Sequence, residues 1–114
     1  MKNEQLTELI RELKKSSIDN KVNIWKRLAS DLEKSTRARR LVNIYKIDKY
    51  AKENETIVVP GKVLGSGVLT KKVTIAAYTF SDSAYKKIGE KGSAISILEL
   101  LKNNPAGKKV RILG

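Results

Sequence analysis

The chain has 114 residues, of which 24 are Lys or Arg and 12 are Asp or Glu, so its net charge is +12. It contains neither Cys nor His, which excludes disulfides, Cys- or His-based metal sites, thiol nucleophiles and the commonest general base. We therefore expect a single domain over residues 1–114 that is not an enzyme, needs no cofactor, and binds a polyanion.

Residues 1–34 predict a hairpin of two amphipathic helices. The first helix has an apolar stripe with helical spacing, and Ser16 and Ser17 are expected to end it. The second helix is expected from about Asp19 to Lys34. Its predicted stripe consists of Ile18, Val22, Trp25, Ala29 and Leu32. Charges interrupt the N-terminus every few residues and no apolar run approaches the ~20 residues of a membrane span, which favours a cytoplasmic protein.

Residues 35–40, STRARR, form a basic connector with no apolar residue larger than Ala38. A short strand is predicted over 41–44. A helix of about ten residues should follow, with Tyr45 and Tyr50 partly buried on it.

The rest of the α/β body, residues 41–114, alternates strand and helix signals. A strand is predicted over TIVV (56–59), and Pro60 is expected to break it. The clearest strand is predicted over 71–80, with both of its faces largely buried. Ser81 is expected to cap a helix over 82–88. A further helix is expected over 93–104 and a final edge strand over 108–113.

Residues 58–74, VVPGKVLGSGVLTKKVT, contain three glycines and three lysines but do not form a nucleotide-binding loop. The P-loop pattern requires Lys and then Ser or Thr after its last glycine, at the start of a helix, and strand-forming residues follow Gly67 instead. The dinucleotide pattern fails because Thr70 stands where its third glycine should be. The simplest interpretation is a hairpin with glycine bends.

The flanking lysines favour a second role for this segment. A glycine backbone can approach a sugar-phosphate chain closely, so Gly65 and Gly67 are candidates for RNA contact together with Lys62, Lys71 and Lys72. No helix-turn-helix or basic-zipper pattern and no exposed aromatic pair is evident, which favours recognition of RNA by shape and backbone.

Three stretches of the sequence resemble a known family. Residues 55–81, ETIVVPGKVLGSGVLTKKVTIAAYTFS, closely resemble the archaeal form of the family of large-ribosomal-subunit protein eighteen, a relative of bacterial large-subunit ribosomal protein fifteen. VNIYKI (42–47) and NNPAGKKVRI (103–112) match it as well. The resemblance implies an α/β fold of irregular ββα-type turns with N-terminal helices. It also implies a structural protein of the ribosome that binds large-subunit rRNA and neighbouring ribosomal proteins.

These observations together predict a structural constituent of the large ribosomal subunit that clamps rRNA through basic residues and the glycine segment. The helical hairpin carries 8 basic and 6 acidic residues, which suits a protein neighbour better than RNA. The alternatives are a free-standing basic nucleic-acid-binding protein or RNA chaperone, and a small enzyme with carboxylates beside the basic face. The candidate RNA-binding residues are Arg27, Arg37, Arg39, Arg40, Lys62, Gly65, Gly67, Lys71, Lys72, Lys86, Lys87 and Lys91.

Overall fold

The structure is a computed structural model that describes residues 4–34 and 40–113. Helices and strands follow one another in this order: α1 (Glu4–Asn20), α2 (Asn23–Glu33), β1 (Arg40–Asn43), α3 (Ile44–Tyr50), β2 (Thr56–Leu64), β3 (Thr74–Phe80), α4 (Asp82–Lys91), β4 (Ser93–Ser96), α5 (Ile97–Asn103) and β5 (Val110–Ile112). The predicted α/β class and the N-terminal helical hairpin are confirmed.

The described strands form one parallel sheet in the order β1-β2-β3-β4. On the side of β2 away from β3, β5 pairs with residues 56–58 and β1 pairs with residues 61–64, so these two short strands lie end to end. Both faces of the sheet are covered, as parallel sheets require. One core lies between the sheet and α1, α2 and α5, and the other lies beneath α3, α4 and the segment 65–73.

The helical hairpin differs from the prediction at its turn. Ser16 and Ser17 do not end α1, because serine costs a helix only a few tenths of a kcal/mol and Asn20 donates to the Ser16 carbonyl and hydroxyl. The turn comes instead at Lys21, which has a φ of 54°. Ile18 consequently belongs to α1 and is 77% exposed, whereas Trp25 is buried in the core as predicted.

Pro60 does not end its strand, since β2 continues to Leu64. A proline lacks the N–H that a sheet ladder needs, so it must lie where no partner strand requires one. Pairing with β5 ends at Val58 and pairing with β1 begins at Gly61, while the register with β3 shifts between Val59 and Lys62. The bulge thus places Pro60 outside all three ladders.

Two further predictions are wrong. Residues 65–73 do not form a hairpin, because β2 and β3 are parallel and the chain must return along the sheet before β3 begins at Thr74. Residues 93–96 form β4 rather than the first turn of a helix, since they pair with residues 74–77 of β3. By contrast, Ser81 caps α4 as predicted: its hydroxyl accepts the Ala84 N–H at 3.2 Å.

Candidate nucleic-acid interface

The segment 65–73, here called the crossover, is attached along α3 by hydrogen bonds. The Tyr45 N–H at the start of α3 donates to the Ser66 carbonyl at 3.0 Å. Further along, the Thr70 N–H and hydroxyl both donate to Asp48 Oδ1, at 2.8 and 2.9 Å. These contacts hold an irregular segment against a helix, where a parallel connection usually has a helix of its own.

The side chain of Asp48 keeps its negative charge down to a lower pH than an ordinary aspartate does. Partial burial by itself would raise the pKa of Asp48, but hydrogen bonds from Thr70 and the positive charge of Lys71 together lower it below 3.8. The carboxylate is ionised at neutral pH and accepts hydrogen bonds from both Thr70 donors.

Lys71 ends this set of contacts at the C-terminus of α3. Its Nζ donates to the carbonyls of Asp48 at 2.6 Å and Ala51 at 2.8 Å. The last carbonyls of a helix lack partners within the helix and carry partial negative charge, so an ammonium group suits them. Lys71, a candidate for RNA contact, thus has a role inside the fold.

Lys87 has a similar role at the other end of the crossover. From α4 its Nζ donates to the Gly65 carbonyl at 2.7 Å and to the Gly67 carbonyl at 3.1 Å. Both glycine carbonyls therefore point towards a lysine of the same chain, and α3, the crossover and α4 form one connected layer.

Packing within the chain explains why Gly65 and Gly67 lack side chains. A Cβ at Gly67 would lie 2.6 Å from the Tyr45 Cβ, and the φ of Gly67 is +106°. A Cβ at Gly65 would collide with the Ser83 hydroxyl and lie 3.0 Å from the Ala84 nitrogen. Contact between these glycines and RNA stays a prediction, but α3 and α4 already occupy the space that a side chain would need.

The other candidate lysines are exposed on the surface. Lys62 lies on β2 in register with Leu41 of β1 and Thr79 of β3, and Lys72 lies at the end of the crossover. Lys86 and Lys91 are exposed on α4. Among residues 4–34 and 40–113, no hydrogen bond or ion pair is found for these four ammonium groups.

Of the candidate arginines, the structure describes the side chain of Arg27, which is not brought together with these lysines. Arg27 is exposed on α2, which packs on the opposite face of the sheet from α3 and α4. Arg37, Arg39 and the side chain of Arg40 lie outside the described residues. The structure therefore unites the crossover with α4 and leaves Arg27 apart from them.

Sequence reasoning missed the exposed aromatic side of α3. Tyr45 is 59% exposed and Tyr50 is 51% exposed, so the expectation that they are partly buried on their helix is wrong. Ala51, rather than Tyr50, completes the buried stripe that starts with Ile44 and Ile47. The i, i+3, i+7 spacing of these three residues would have placed Tyr45 well away from the core.

The part of the chain that the structure describes shows no sign of a metal centre or a membrane helix. It holds no group of three or more acidic side chains that could bind a metal ion. Within the same residues, each helix is too short or too polar to cross a bilayer.

Comparison with known proteins places the chain in a family. A family model that describes ribosomal proteins 50S-L15, 50S-L18e and their 60S counterpart matches residues 3–96. The large ribosomal subunit protein eL18 of Methanospirillum hungatei is 55% identical over 112 residues, which are 97% of this chain and 93% of that protein. Those of Archaeoglobus fulgidus and Haloarcula marismortui are 49% and 46% identical, each over 97% of this chain and 96% of the relative. The resemblance seen in residues 55–81 is thereby confirmed, and the chain belongs to the family of ribosomal proteins 50S-L15, 50S-L18e and their 60S counterpart.

Proposed function

We propose that this ribosomal protein is a structural constituent of the large subunit and that it clamps rRNA with the exposed lysines around the crossover and α4. As a member of a family of ribosomal proteins of the archaeal type it is not an enzyme, and its place is in the ribosome, in the cytoplasm. The observation that carries the clamping proposal is the division of its lysines into two kinds.

Lysines of the first kind are used within the fold. Lys71 and Lys87 donate to backbone carbonyls and hold the crossover between α3 and α4. Lysines of the second kind, Lys62, Lys72, Lys86 and Lys91, have no acidic partner among the described residues and raise the positive charge at the surface. Phosphate groups of RNA would supply the missing anions, and each contact would release a condensed counterion from the RNA.

Arg27, Arg37, Arg39 and Arg40 are also proposed to contact rRNA, Arg27 from the opposite face of the sheet. The guanidinium group donates two hydrogen bonds to one phosphate, so these arginines could bridge RNA segments that otherwise repel each other. Lys62 of β2 lies beside β1, since the backbone of Arg40 is in register with Gly61, the residue before Lys62. The less basic helical hairpin is proposed to contact a protein neighbour.

The test of the RNA surface compares lysines of the two kinds. Lys62→Ala and Lys72→Ala should leave the melting temperature nearly unchanged, because exposed substitutions shift stability by less than about 0.5 kcal/mol. Both should weaken binding to an rRNA fragment and lower the salt slope by about one unit for each lost phosphate contact. Lys71→Ala should instead lower stability by roughly 1–3 kcal/mol, because it removes two charge-assisted hydrogen bonds.

Measurements of melting temperature and of RNA affinity at low and high salt separate these outcomes. If Lys62→Ala and Lys72→Ala bind RNA as the wild type does at both salt concentrations, the proposed surface is wrong. Sedimentation of a cell extract tests the alternative of a free-standing RNA binder. A structural constituent should migrate with the large subunit at about one copy per particle, whereas a chaperone should appear across many fractions.

A further inference from the structure

Two adjoining cavities lie where the first turns of α1 approach the sheet edge at β4. The larger has a volume of about 590 Å³ and the smaller about 340 Å³. Both are lined by Ala77 and Tyr78 of β3 and by Ser96 of β4. The two cavities together are called the β4 cleft below.

The charge of the β4 cleft is opposite to that of the whole chain. Glu4 and Glu8 of α1 line the larger cavity, and Glu99 of α5 lines the smaller one. No Lys or Arg of the described residues lines either cavity, although the chain has 24 of them. Of these three carboxylates, Glu8 forms an ion pair with Arg11 at 3.3 Å. Both side chains are more than half exposed, so this ion pair is weak.

RNA is therefore an unsuitable occupant of the cleft. Phosphate groups would approach three carboxylates, of which only Glu8 has a cationic partner among the described residues, and like charges at close range disfavour binding. A cationic segment would instead be attracted to these carboxylates and would be steered towards the cleft.

The floor of the β4 cleft is apolar. Leu9 and Leu98 line the larger cavity, and Phe80 and Tyr85 line the smaller one, with their rings edge to face at 6.1 Å. Leu98 is 38% exposed and Tyr85 is 60% exposed. Exposed aromatic side chains beside apolar ones are typical of the centre of protein interfaces, where burial of apolar surface supplies affinity.

The geometry of β4 favours an extended occupant. β4 lies at the end of the described sheet and pairs with β3 alone, so its outer edge can accept another strand. Three of its four residues, Ala94, Ile95 and Ser96, line the smaller cavity. An added strand gains main-chain hydrogen bonds along such an edge, while its alternate side chains enter the neighbouring pockets.

We propose that the β4 cleft binds an extended segment of a second protein in which Lys or Arg alternates with apolar residues. The cationic character of the partner rests on the proposed function. A neighbouring protein in the ribosome also lies among rRNA phosphates and therefore needs cationic segments. It uses a different surface from the RNA contacts, so the two can fail separately.

The experiment measures the binding of fluorescein-labelled peptides to the purified full chain by fluorescence anisotropy. The probe is the peptide LRVRLRVR, and two matched peptides replace either every Arg by Glu or every Leu and Val by Ser. We expect the probe to bind at least about tenfold more tightly than either matched peptide, since it alone has both the charge and the apolar side chains that fit the cleft. Equal binding of the probe and the Ser peptide would overturn the proposal, because charge alone would then explain it.

Variants of the chain locate the site of binding. Glu8→Lys and Leu98→Gln should each weaken binding of the probe by about fivefold or more, since they alter the rim and the floor of the cleft. Their matched controls are Glu90→Lys on α4 and Ile18→Gln near the end of α1, both exposed and outside the cleft. These controls should bind within about twofold of the wild type. If the controls weaken binding as much as the cleft variants do, the proposal is wrong.

Two further measurements distinguish the proposed occupant of the cleft from RNA and from a second copy of the chain. All four variants are first checked for an unchanged melting temperature and for rRNA affinity, and Lys72→Ala is included as a variant that should affect RNA binding alone. Loss of rRNA affinity in Leu98→Gln as large as that in Lys72→Ala would identify the cleft as an RNA surface and overturn the proposal. So would self-association of the chain, seen by analytical ultracentrifugation, that Leu98→Gln abolishes.

Discussion

At the scale of single residues, the surroundings of an ammonium group decide what a lysine does. Lys71 and Lys72 are neighbours in the sequence, yet Lys71 Nζ contacts two carbonyls at the end of α3 while the side chain of Lys72 is exposed. The same division separates Lys87 from Lys86 on α4. A basic motif in a sequence can therefore combine lysines that hold the fold together with lysines that remain available to a partner.

Gly67 and Gly89 offer a prediction at this scale. Gly67→Ala should destabilise the chain by at least about 1–3 kcal/mol, because a positive φ strains any residue with a Cβ and the Tyr45 backbone is only 2.8–2.9 Å from the added atom. Gly89→Ala is the matched control. Its Cβ would meet nothing within 4 Å, so alanine should stabilise α4 by roughly 0.5–1 kcal/mol.

Urea unfolding of both variants and the wild type gives the two free energies of unfolding. A loss of stability in both variants, or in neither, would contradict this account of the crossover. The Gly67→Ala variant should also show increased amide exchange at Tyr45, whose N–H donates to the Ser66 carbonyl beside Gly67.

At the scale of the elements, α3 and the crossover act as one unit. α3 has only seven residues, which is too few for a helix that is stable by itself. Its stability must come from the buried Ile44 and Ile47 and from the contacts of Asp48 with Thr70 and Lys71. The crossover in turn forms hydrogen bonds with α3, whereas a strand of a hairpin would form them with the neighbouring strand.

Asp48 gives this unit a dependence on pH. Because its pKa in the folded chain is lowered, the stabilisation it provides is complete above the ordinary value of 3.8 and is lost as the pH falls through the folded pKa. We expect Asp48→Asn to be less stable than the wild type at pH 7. The difference between them should shrink as the pH is lowered below about 3.8.

Urea unfolding over a series of pH values tests this expectation, with Glu90→Gln as the control for removal of one exposed carboxylate. The control should follow the wild type across the whole range. A constant difference between Asp48→Asn and the wild type, from neutral to acid pH, would mean that the charge of Asp48 does not stabilise the crossover.

At the scale of the whole molecule, two cores of different composition support two different surfaces. The layer of α3, the crossover and α4 carries exposed lysines, whereas the opposite layer brings the acidic start of α1 next to β4. A chain with a net charge of +12 thus has exposed lysines on one side, which we propose contact RNA, and an acid-rimmed cleft, which we propose binds a protein. We infer that such a molecule could join an rRNA segment to a neighbouring protein.

The net charge leads to a prediction for the intact chain. If about six phosphates are contacted, affinity for an rRNA fragment should fall roughly a thousandfold between about 50 and 200 mM monovalent salt. Binding of the cleft probe should depend less steeply on salt, because fewer charges are involved. Filter binding and anisotropy over the same salt series measure both slopes, and a flat response of the RNA affinity would remove the electrostatic account.

Several features of this protein could be predicted from its sequence because they depend on local pattern. The spacing of Leu6, Ile10 and Leu13 indicates a helix whatever lies opposite them, and a serine before α4 can cap it using only the next few residues. Charge and composition do not depend on the fold at all. They predicted a polyanionic partner and no enzyme, and membership of the ribosomal protein family confirms that the chain is not an enzyme.

Other features were decided only by the tertiary structure, because they depend on residues far apart in the sequence. Glycines and β-branched residues around Gly65 suit a hairpin and a crossover equally well, and the parallel pairing of β2 with β3 selects the crossover. Residues 93–96 have helical spacing but pair with β3. Lys71 reaches a carbonyl 23 residues away, and Glu8 and Ser96 line the same cavity of the β4 cleft. Local periodicity records which side of an element is apolar, whereas the partner of a long polar side chain is set by how the elements pack.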